Sequence, residues 1–529
     1  MKEKKKNRIL QEWGKPKNID VEFDLIAQYE SYQDKENKWQ LSEKTLIDLD
    51  FKSFFLFVDR TSSAIGQQYL YNQFLQQSVN KEYLLEQESL VDFYSSHLDN
   101  KIKSIIDLEK LSRANDYYFP YLMFSELPKK MFKSWLINIL QIAMLIGIVF
   151  TFKFPIVFVA VVPLFAINLF LHYTHKNRIG NFTVYFSRLT TLSSALRKLL
   201  PLSNFEGDKQ AKLSLAIKDI DQITSQVLFL KTDNLQNNEF AAFFWFILEI
   251  FKILSLTEIT VFNKLVSKIE STRQQIIQVY NAIGEIDVAI SISSLRDGLR
   301  YYSIPEFVNN KELKVKSLYH PLVPNCIPND IELINKSLLL TGSNMAGKST
   351  FIKTLNLNAL CAQILNTSFT EHYSAPIWQL VTSMTIKDNL DEGMSYYMEE
   401  VSSIGELITS SEEKDRTYLF TIDEIFKGTN TIERISTAKA ILEYLNKNNH
   451  MVLASTHDIE LTKLLQKGFD LYFFQESIAY KTLAFDYKIK KGAIERSNAI
   501  NILEIVGYPK TITDEAKRLA IEIKNEKTG

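Results

Sequence analysis

The run SLLLTGSNMAGKST, Ser337 to Thr350, commits its part of the chain to one local geometry. A short apolar strand must end in a tight loop that opens directly into a helix, because the pattern G-x-x-x-x-G-K-[ST] is met in full from Gly342 to Ser349. Gly342 and Gly347 let the backbone turn its N–H groups inward around phosphates. Lys348 would reach the β and γ phosphates, and the Ser349 hydroxyl would ligate Mg²⁺. Ser343, Asn344, Met345, Ala346 and Thr350 complete the candidate nucleotide-binding set. The loop implies a nucleoside triphosphate, with ATP and Mg²⁺ as the expected cofactors, and leaves open what hydrolysis is for.

Two downstream runs fall in the order such chemistry needs. TYLFTIDE is an apolar strand ending in Asp423, placed to support the Mg²⁺ shell, and Glu424, placed to polarise the attacking water. HMVLASTHD puts His457 just after another strand, where an imidazole could hydrogen-bond the γ-phosphate or the water. Taken singly, an Asp-Glu pair after an apolar run is usually structural, and a lone His at a strand end usually caps or faces solvent. Strand–GKS, strand–DE and strand–H in succession describe an ATPase of the ABC-like type, with Glu424 and His457 catalytic and Ser349 and Asp423 at the metal.

At 529 residues the chain exceeds one core, and roughly three domains are expected. Its 61 basic and 62 acidic residues remove any argument for nucleic acid from global charge. The cluster KEKKKNR near the N-terminus reads as a solvated tail or a membrane-surface contact. Cys326 and Cys361 alone offer neither a disulfide framework nor a zinc site, which fits a reducing cytosol. The polar first turns carry no signal-peptide pattern. Residues from about 46 to 125 and from about 181 to 300 space their apolar side chains at three and four, as helices do. Within the second stretch FAAFFWFILEIF, Phe240 to Phe251, is short for a span and contains Glu249, so a buried core helix is expected there. From about residue 306 short apolar runs alternate with helical pattern, the texture of an α/β sheet with ligands at strand ends.

Between the helical stretches lies SWLINILQIAMLIGIVFTFKFPIVFVAVVPLFAINLFLHYTHK. Its two runs, Trp135 to Phe152 and Phe154 to Leu171, are each about 18 residues, or about 27 Å as helix, enough for the hydrocarbon core. Lys153 and Pro155 mark a turn between them. Lys129, Lys130 and Lys133 precede the pair and Lys176 and Arg178 follow it, which fits a hairpin with both ends in the cytosol. The expectation is a cytoplasmic-membrane protein with two spans and a cytoplasmic ATPase domain. The alternative is a buried helical pair in a soluble core or at a dimer interface, to which Asn138, Gln141 and Pro163 lend weight.

These residues resemble one family, the MutS ATPases of DNA mismatch repair. TGSNMAGKST is similar to its phosphate loop, with Asn344 and Met345 matching and Ser343 and Ala346 departing. DNLDEGMSYYMEEV resembles the segment whose serine reaches the nucleotide of the other subunit. That implies a trans-acting role for Ser395, with Gly393 and Glu400 also matching and Tyr396 and Tyr397 departing. IDEIFKGTNTIERIS resembles the segment along the dimer seam, where Gly428 and Thr429 match while Phe426 and Lys427 do not. STHDIEL and LYHPLVPNCIPNDIEL are similar to the histidine segment and to the segment that borders the adenine. FLFVDRTSSAIGQQYLYNQFLQQ, DLEKLSR and IGEIDVAISISSLRDGLRYYSIPEF resemble the family's helical core and lever. The likeness covers about residues 46 to 125 and 260 to 515. Neither the mismatch-reading and connector domains nor a clamp or a nuclease tail is recognisable, and Phe124-Ser125-Glu126 is a chance match to the reading motif.

The fold expected is therefore an α/β P-loop ABC-type ATPase domain joined to an all-α core and lever domain with an inserted transmembrane helical hairpin. The expected divisions are 1–45 (N-terminal segment), 46–133 (helical core, first part), 134–172 (hairpin), 173–305 (core and lever, second part) and 306–529 (ATPase). The resemblance implies a homodimer with two composite ATP sites and helical arms that bind DNA by structure rather than by sequence. The rival is an ATP-driven membrane switch acting on a protein partner without DNA. A transporter subunit is the weaker third reading, since one hairpin offers no translocation path.

Overall fold

The computed structural model describes residues 2–17, 21–32, 40–76, 80–126, 132–230, 239–342, 346–384, 396–413, 416–426, 430–479, 482–493, 503 and 507–526. Among the described residues the strands all lie in the C-terminal part: β1 (Glu306–Phe307), β2 (Glu312–Leu318), β3 (Asn329–Ile334), β4 (Ser337–Thr341), β5 (His372–Ala375), β6 (Gln379–Ser383), β7 (Tyr418–Asp423), β8 (Met451–Thr456), β9 (Phe469–Phe473), β10 (Glu476–Ala479), β11 (Thr482–Phe485) and β12 (Lys490–Lys491). Six of them form one sheet in the order β12-β9-β4-β8-β7-β6, parallel from β9 to β6 with β12 antiparallel at the edge. Every residue of β4 and of β8 is buried, as expected for parallel strands covered on both faces. The runs that read as strands in the sequence, SLLLTG, TYLFTIDE, HMVLASTHD and LYFFQES, become β4, β7, β8 and β9. A second sheet, β1-β5-β2-β3, and the β10-β11 hairpin complete the strands among the described residues.

The helical half packs directly on this sheet, and apolar residues of both halves share one core that includes Phe54, Phe74, Ile283, Leu340, Leu360 and Phe369. Helix Glu43–Asp48 holds the end of β6: the Asp48 carboxylate accepts from the Thr382 hydroxyl at 2.7 Å and the Met384 N–H at 2.9 Å. Helix Thr257–Gly298, 42 residues long, runs from the apolar hairpin to the sheet. Along it Asp287 takes the N–H groups of Ser62 and Ser63 at 2.7 and 2.8 Å, just before helix Ala64–Gln76. A carboxylate there satisfies backbone donors that a helix start leaves unpaired. Gly66 is required by the same contact, since a Cβ would stand 2.1 Å from the Asp287 carboxylate.

The apolar stretch forms helix Ser134–Thr151, a short 3₁₀ turn Pro155–Val157 and helix Phe158–Leu199. The second helix, 42 residues in all, does not stop near residue 172 but continues to Leu199 in the helical core, where Leu192, Leu196 and Leu199 are sealed. Only 11% of each apolar window, Ser134–Thr151 and Pro155–Thr174, is buried by the rest of the chain. Gln141 turns inward and donates to the Ser255 carbonyl at 2.5 Å and the Thr260 hydroxyl at 3.1 Å.

One expectation is corrected. Helix Glu239–Ser255, which contains Phe240–Phe251, is not a core helix: Phe243, Phe246, Ile247 and Phe251 are 63, 57, 48 and 54% exposed. Its buried side instead carries Glu249 and Lys252, which meet His172 and Glu258. The periodicity identified a helix correctly. It could not reveal that the charged side faces inward, because that depends on partners far away in sequence.

Candidate nucleotide site at the ends of three adjacent strands

β8 lies between β4 and β7, all three parallel, with Thr341 opposite Thr456 and Asp423 opposite Ser455. The residues that follow the three strands therefore emerge at the same edge, the usual place for ligands on such sheets. After β4 the chain turns through Gly342 at φ +135° and Gly347 at φ +98°, then enters helix Lys348–Leu365. Gly342 is needed twice over, because a Cβ would also stand 2.6 Å from the Phe474 carbonyl oxygen. The first-turn N–H groups of helix Lys348–Leu365 open toward this loop, with the partial positive charge of a helix start.

The Lys348 side chain is fully buried; its Nζ donates to the Gly342 carbonyl at 2.5 Å and lies 3.5 Å from His457 Nε2. The Ser349 hydroxyl donates to Asp423 Oδ2 at 2.5 Å, and the Ser455 hydroxyl donates to the other carboxylate oxygen, Oδ1. Glu424 Oε1 pairs with His457 Nε2 at 2.5 Å, and the Glu424 N–H donates across the sheet to the Ser455 carbonyl at 3.1 Å. Glu424 sits at φ +61° and Phe426 at φ +55°, a conformation that costs L side chains energy and clusters at working sites. The Glu424 side chain is 12% exposed and His457 43%, so the imidazole stands at the mouth and the carboxylate behind it.

The donor set fits a triphosphate with a hard cation. A hydroxyl and a carboxylate in contact, Ser349 and Asp423, are the oxygen ligands Mg²⁺ takes. A buried ammonium and a helix start supply the positive field that phosphate oxygens need. A carboxylate and an imidazole side by side can orient a water and accept its proton.

Of the residues singled out in the sequence, Gly342, Gly347, Lys348, Ser349, Asp423, Glu424 and His457 come together here. Ala346 is buried beside them, and Thr350 is exposed on the first turn of helix Lys348–Leu365. Ser343, Asn344, Met345, Ser395, Gly428 and Thr429 lie outside the described residues. His320 is largely buried, and its Nδ1 accepts from the Leu322 N–H at 3.2 Å. Burial and the nearby Lys353 charge push its pKa below the ordinary value.

Three further contributors have no site role assigned from the sequence. Ser455 is one residue of the run that becomes β8. Glu400 accepts from the Phe426 N–H at 2.5 Å and so holds the turn after Glu424. Arg434 grips Asp458 with two bonds, 2.9 and 2.7 Å, fixing the segment that presents His457 to helix Thr431–Leu445. Glu400 and Arg434 lie inside segments that carry the family resemblance, but their partners Phe426 and Asp458 are 26 and 24 residues away, and no local spacing announces such pairs.

Residues 338–524 match the family model MutS domain V. Proteins named DNA mismatch repair protein MutS are similar over about half of the chain. That of Listeria welshimeri is 30% identical over 51% of this chain and 32% of its own length. The Fusobacterium nucleatum protein is 28% identical over 51% and 31%, and the Halalkalibacterium halodurans protein 31% identical over 46% and 29%. The chain thus spans about a third of the length of these curated relatives. Residues 338–524 are thus a MutS domain V, and about half of the chain is similar to these MutS proteins.

Proposed function

We propose that this chain binds and hydrolyses ATP with Mg²⁺, works as a homodimer, and is tethered to the cytoplasmic membrane by its apolar hairpin. The observation that carries the reading is the convergence of Lys348, Ser349, Asp423, Glu424 and His457 at one sheet edge. When bound, Mg²⁺ neutralises charge on the β and γ phosphates. Lys348 and the helix start hold the phosphate oxygens, and Ser349 and Asp423 hold the cation. Glu424 takes the proton of the attacking water, and His457 keeps that carboxylate aimed. In the family's manner Ser395 of a second subunit completes each site, so that ATP joins two copies and hydrolysis releases them. Tethering is supported by two adjacent apolar segments of mean hydropathy 1.9 and 2.2 that the rest of the chain leaves uncovered.

For the helical arms the family relationship favours DNA, recognised through phosphates and shape. A second reading, an ATP-driven switch acting on a partner at the membrane, is favoured by the way Gln141 and Asn168 hold the arm tip at Ser255 and Leu254. The test is ATP turnover by the purified full chain with and without Mg²⁺, repeated with a panel of matched, mismatched and branched DNA. Mg²⁺-dependent turnover that Lys348→Ala abolishes is expected. Mixing Lys348→Ala with Ser395→Ala protein should restore activity, since each heterodimer then keeps one intact composite site. Turnover indifferent to Lys348→Ala would overturn the reading, and an absence of DNA binding would move the arms to the second one.

A further inference from the structure

Helix Glu239–Ser255 is inside out for a helix in water. Its exposed arc is Phe243, Phe246, Ile247 and Phe251, while Glu249 and Lys252 are 4 and 2% exposed on the opposite side. A helix bathed by water places these two sets the other way round, because charge is strongly hydrated and large apolar side chains are not. The buried charges are matched by two neighbouring helices. His172 of helix Phe158–Leu199 lies 3.0 Å from Glu249 through Nε2 and 3.5 Å from Glu258 through Nδ1. Lys252 Nζ donates to Glu258, at the start of helix Thr257–Gly298, at 2.6 Å.

The position of the cluster says what covers the apolar arc. His172 is about 28 Å along its helix from the Lys153 turn, which puts it at the hydrocarbon boundary opposite that turn. Glu249 sits beside His172 and Leu254 beside Asn168, whose Nδ2 donates to the Leu254 carbonyl at 3.3 Å. Helix Glu239–Ser255 therefore runs antiparallel to helix Phe158–Leu199, with its C-terminal end toward the turn. That end is closed by the hairpin: Asn168 and Gln141 take the Leu254 and Ser255 carbonyls, which a helix terminus leaves without partners. Leu256, at φ +46°, then reverses the chain into helix Thr257–Gly298, where it packs with Ile259 on Ile137. At the same end of the hairpin, Ile139, Ile142, Ile167 and Phe170 are 53, 56, 49 and 70% exposed, so the apolar arc has apolar exposed surface beside it.

We propose that helix Glu239–Ser255 is a third membrane-inserting element, a re-entrant helix whose Phe243, Phe246, Ile247 and Phe251 face lies in the headgroup and upper acyl layer. The tip of the long arm is thereby seated in the bilayer, and the His172–Glu249–Lys252–Glu258 cluster joins it to the hairpin. This rests on the hairpin reading above, and the test separates the two. Cys326→Ser and Cys361→Ala give a cysteine-free chain, to which Phe246→Cys, Phe251→Cys, Ile142→Cys (hairpin) or Leu215→Cys (a 59% exposed site on helix Gly207–Leu230) is added singly. Each full-length protein carries an environment-sensitive fluorophore and is reconstituted into phosphatidylcholine–phosphatidylglycerol vesicles. Nitroxide lipids, labelled near the headgroup or at mid-chain, and aqueous iodide serve as quenchers.

The proposal expects lipid quenching of about twofold or more at Ile142, Phe246 and Phe251, and iodide quenching alone at Leu215. Phe251 should be quenched by the mid-chain label more than Phe246 is. If Ile142 is quenched by lipid while Phe246 and Phe251 answer only to iodide, the re-entrant helix is wrong and the hairpin stands. Shielding of Phe246 and Phe251 from both quenchers would mean that protein covers the face, which also overturns the proposal. If Ile142 itself escapes lipid quenching, the hairpin reading fails first.

Discussion

Asp423 is held by two hydroxyls on its two oxygens, Ser349 from the phosphate-loop helix and Ser455 from the adjacent strand. Ser349, Asp423, Glu424, Lys348 and His457 could be located in the sequence because each stands at a fixed offset from an apolar strand. Ser455 could not, because its role follows from the pairing of β7 with β8, which no single run encodes. The left-handed backbone at Glu424 was hidden for the same reason, since it follows from the Ser455 and Glu400 contacts on either side of the turn. Ser455→Ala leaves one Asp423 oxygen without its donor and should loosen the cation. Groups that orient a metal ligand are worth about 10–100-fold in metal affinity, so the Mg²⁺ concentration for half-maximal ATPase should rise about tenfold with less change in the saturated rate. A Mg²⁺ titration of turnover reads this directly.

Among the elements, the junction between the long arm and the sheet is concentrated in Arg296, near the end of helix Thr257–Gly298. Its guanidinium takes both Glu88 oxygens at 2.6 and 2.8 Å, the Thr367 hydroxyl at 3.0 Å and the Asn366 carbonyl at 2.9 Å. Asn366 closes helix Lys348–Leu365, so a cation sits at the negative end of the helix whose start borders the candidate nucleotide site. Arg296→Lys keeps the charge and loses the fork. It should cost about 2–3 kcal/mol of stability, seen as a lower denaturation midpoint, because a single ammonium cannot hold the two Glu88 oxygens, the Thr367 hydroxyl and the Asn366 carbonyl together.

A second link ties the N-terminal segment down: Lys17 donates to the sealed Asp59 at 2.8 Å. Burial raises the Asp59 pKa, but the Lys17 charge and hydrogen bond, with those of Thr61, outweigh it and leave it below 3.8. A carboxyl depressed in the folded state contributes stability above its unfolded value and loses it as pH falls through the folded one. Hydrogen exchange of helix Ala64–Gln76 should therefore accelerate on acidification below about pH 4, and by less in Lys17→Met. Equal acid sensitivity in the two proteins would remove the pair from the account. Helix existence and the four functional strands were legible from periodicity. The second sheet, β1-β5-β2-β3, was not, because its strands are short, half-exposed and paired out of chain order.

At the scale of the molecule, two helices of 42 residues each, about 63 Å long, run out from the apolar half. One carries the second apolar segment straight into the helical core. The other starts at the hairpin and ends at Arg296, on the helix that begins with Lys348. One helix thus joins the end of the phosphate-loop helix, through Arg296 and the Asn366 carbonyl, to the apolar hairpin, through Thr260 and Gln141. The sequence contained both ends of this connection, but a helix long enough to join them was visible only as apolar spacing on one side of the hairpin. All of this depends on the sheet edge being a working ATPase, and Glu424→Gln tests that claim most directly. The substitution keeps size and loses the base, so ATP turnover by the purified full chain should fall by about a hundredfold or more while ATP binding is retained. Hydrolysis by Glu424→Gln protein at the parent rate would contradict the account.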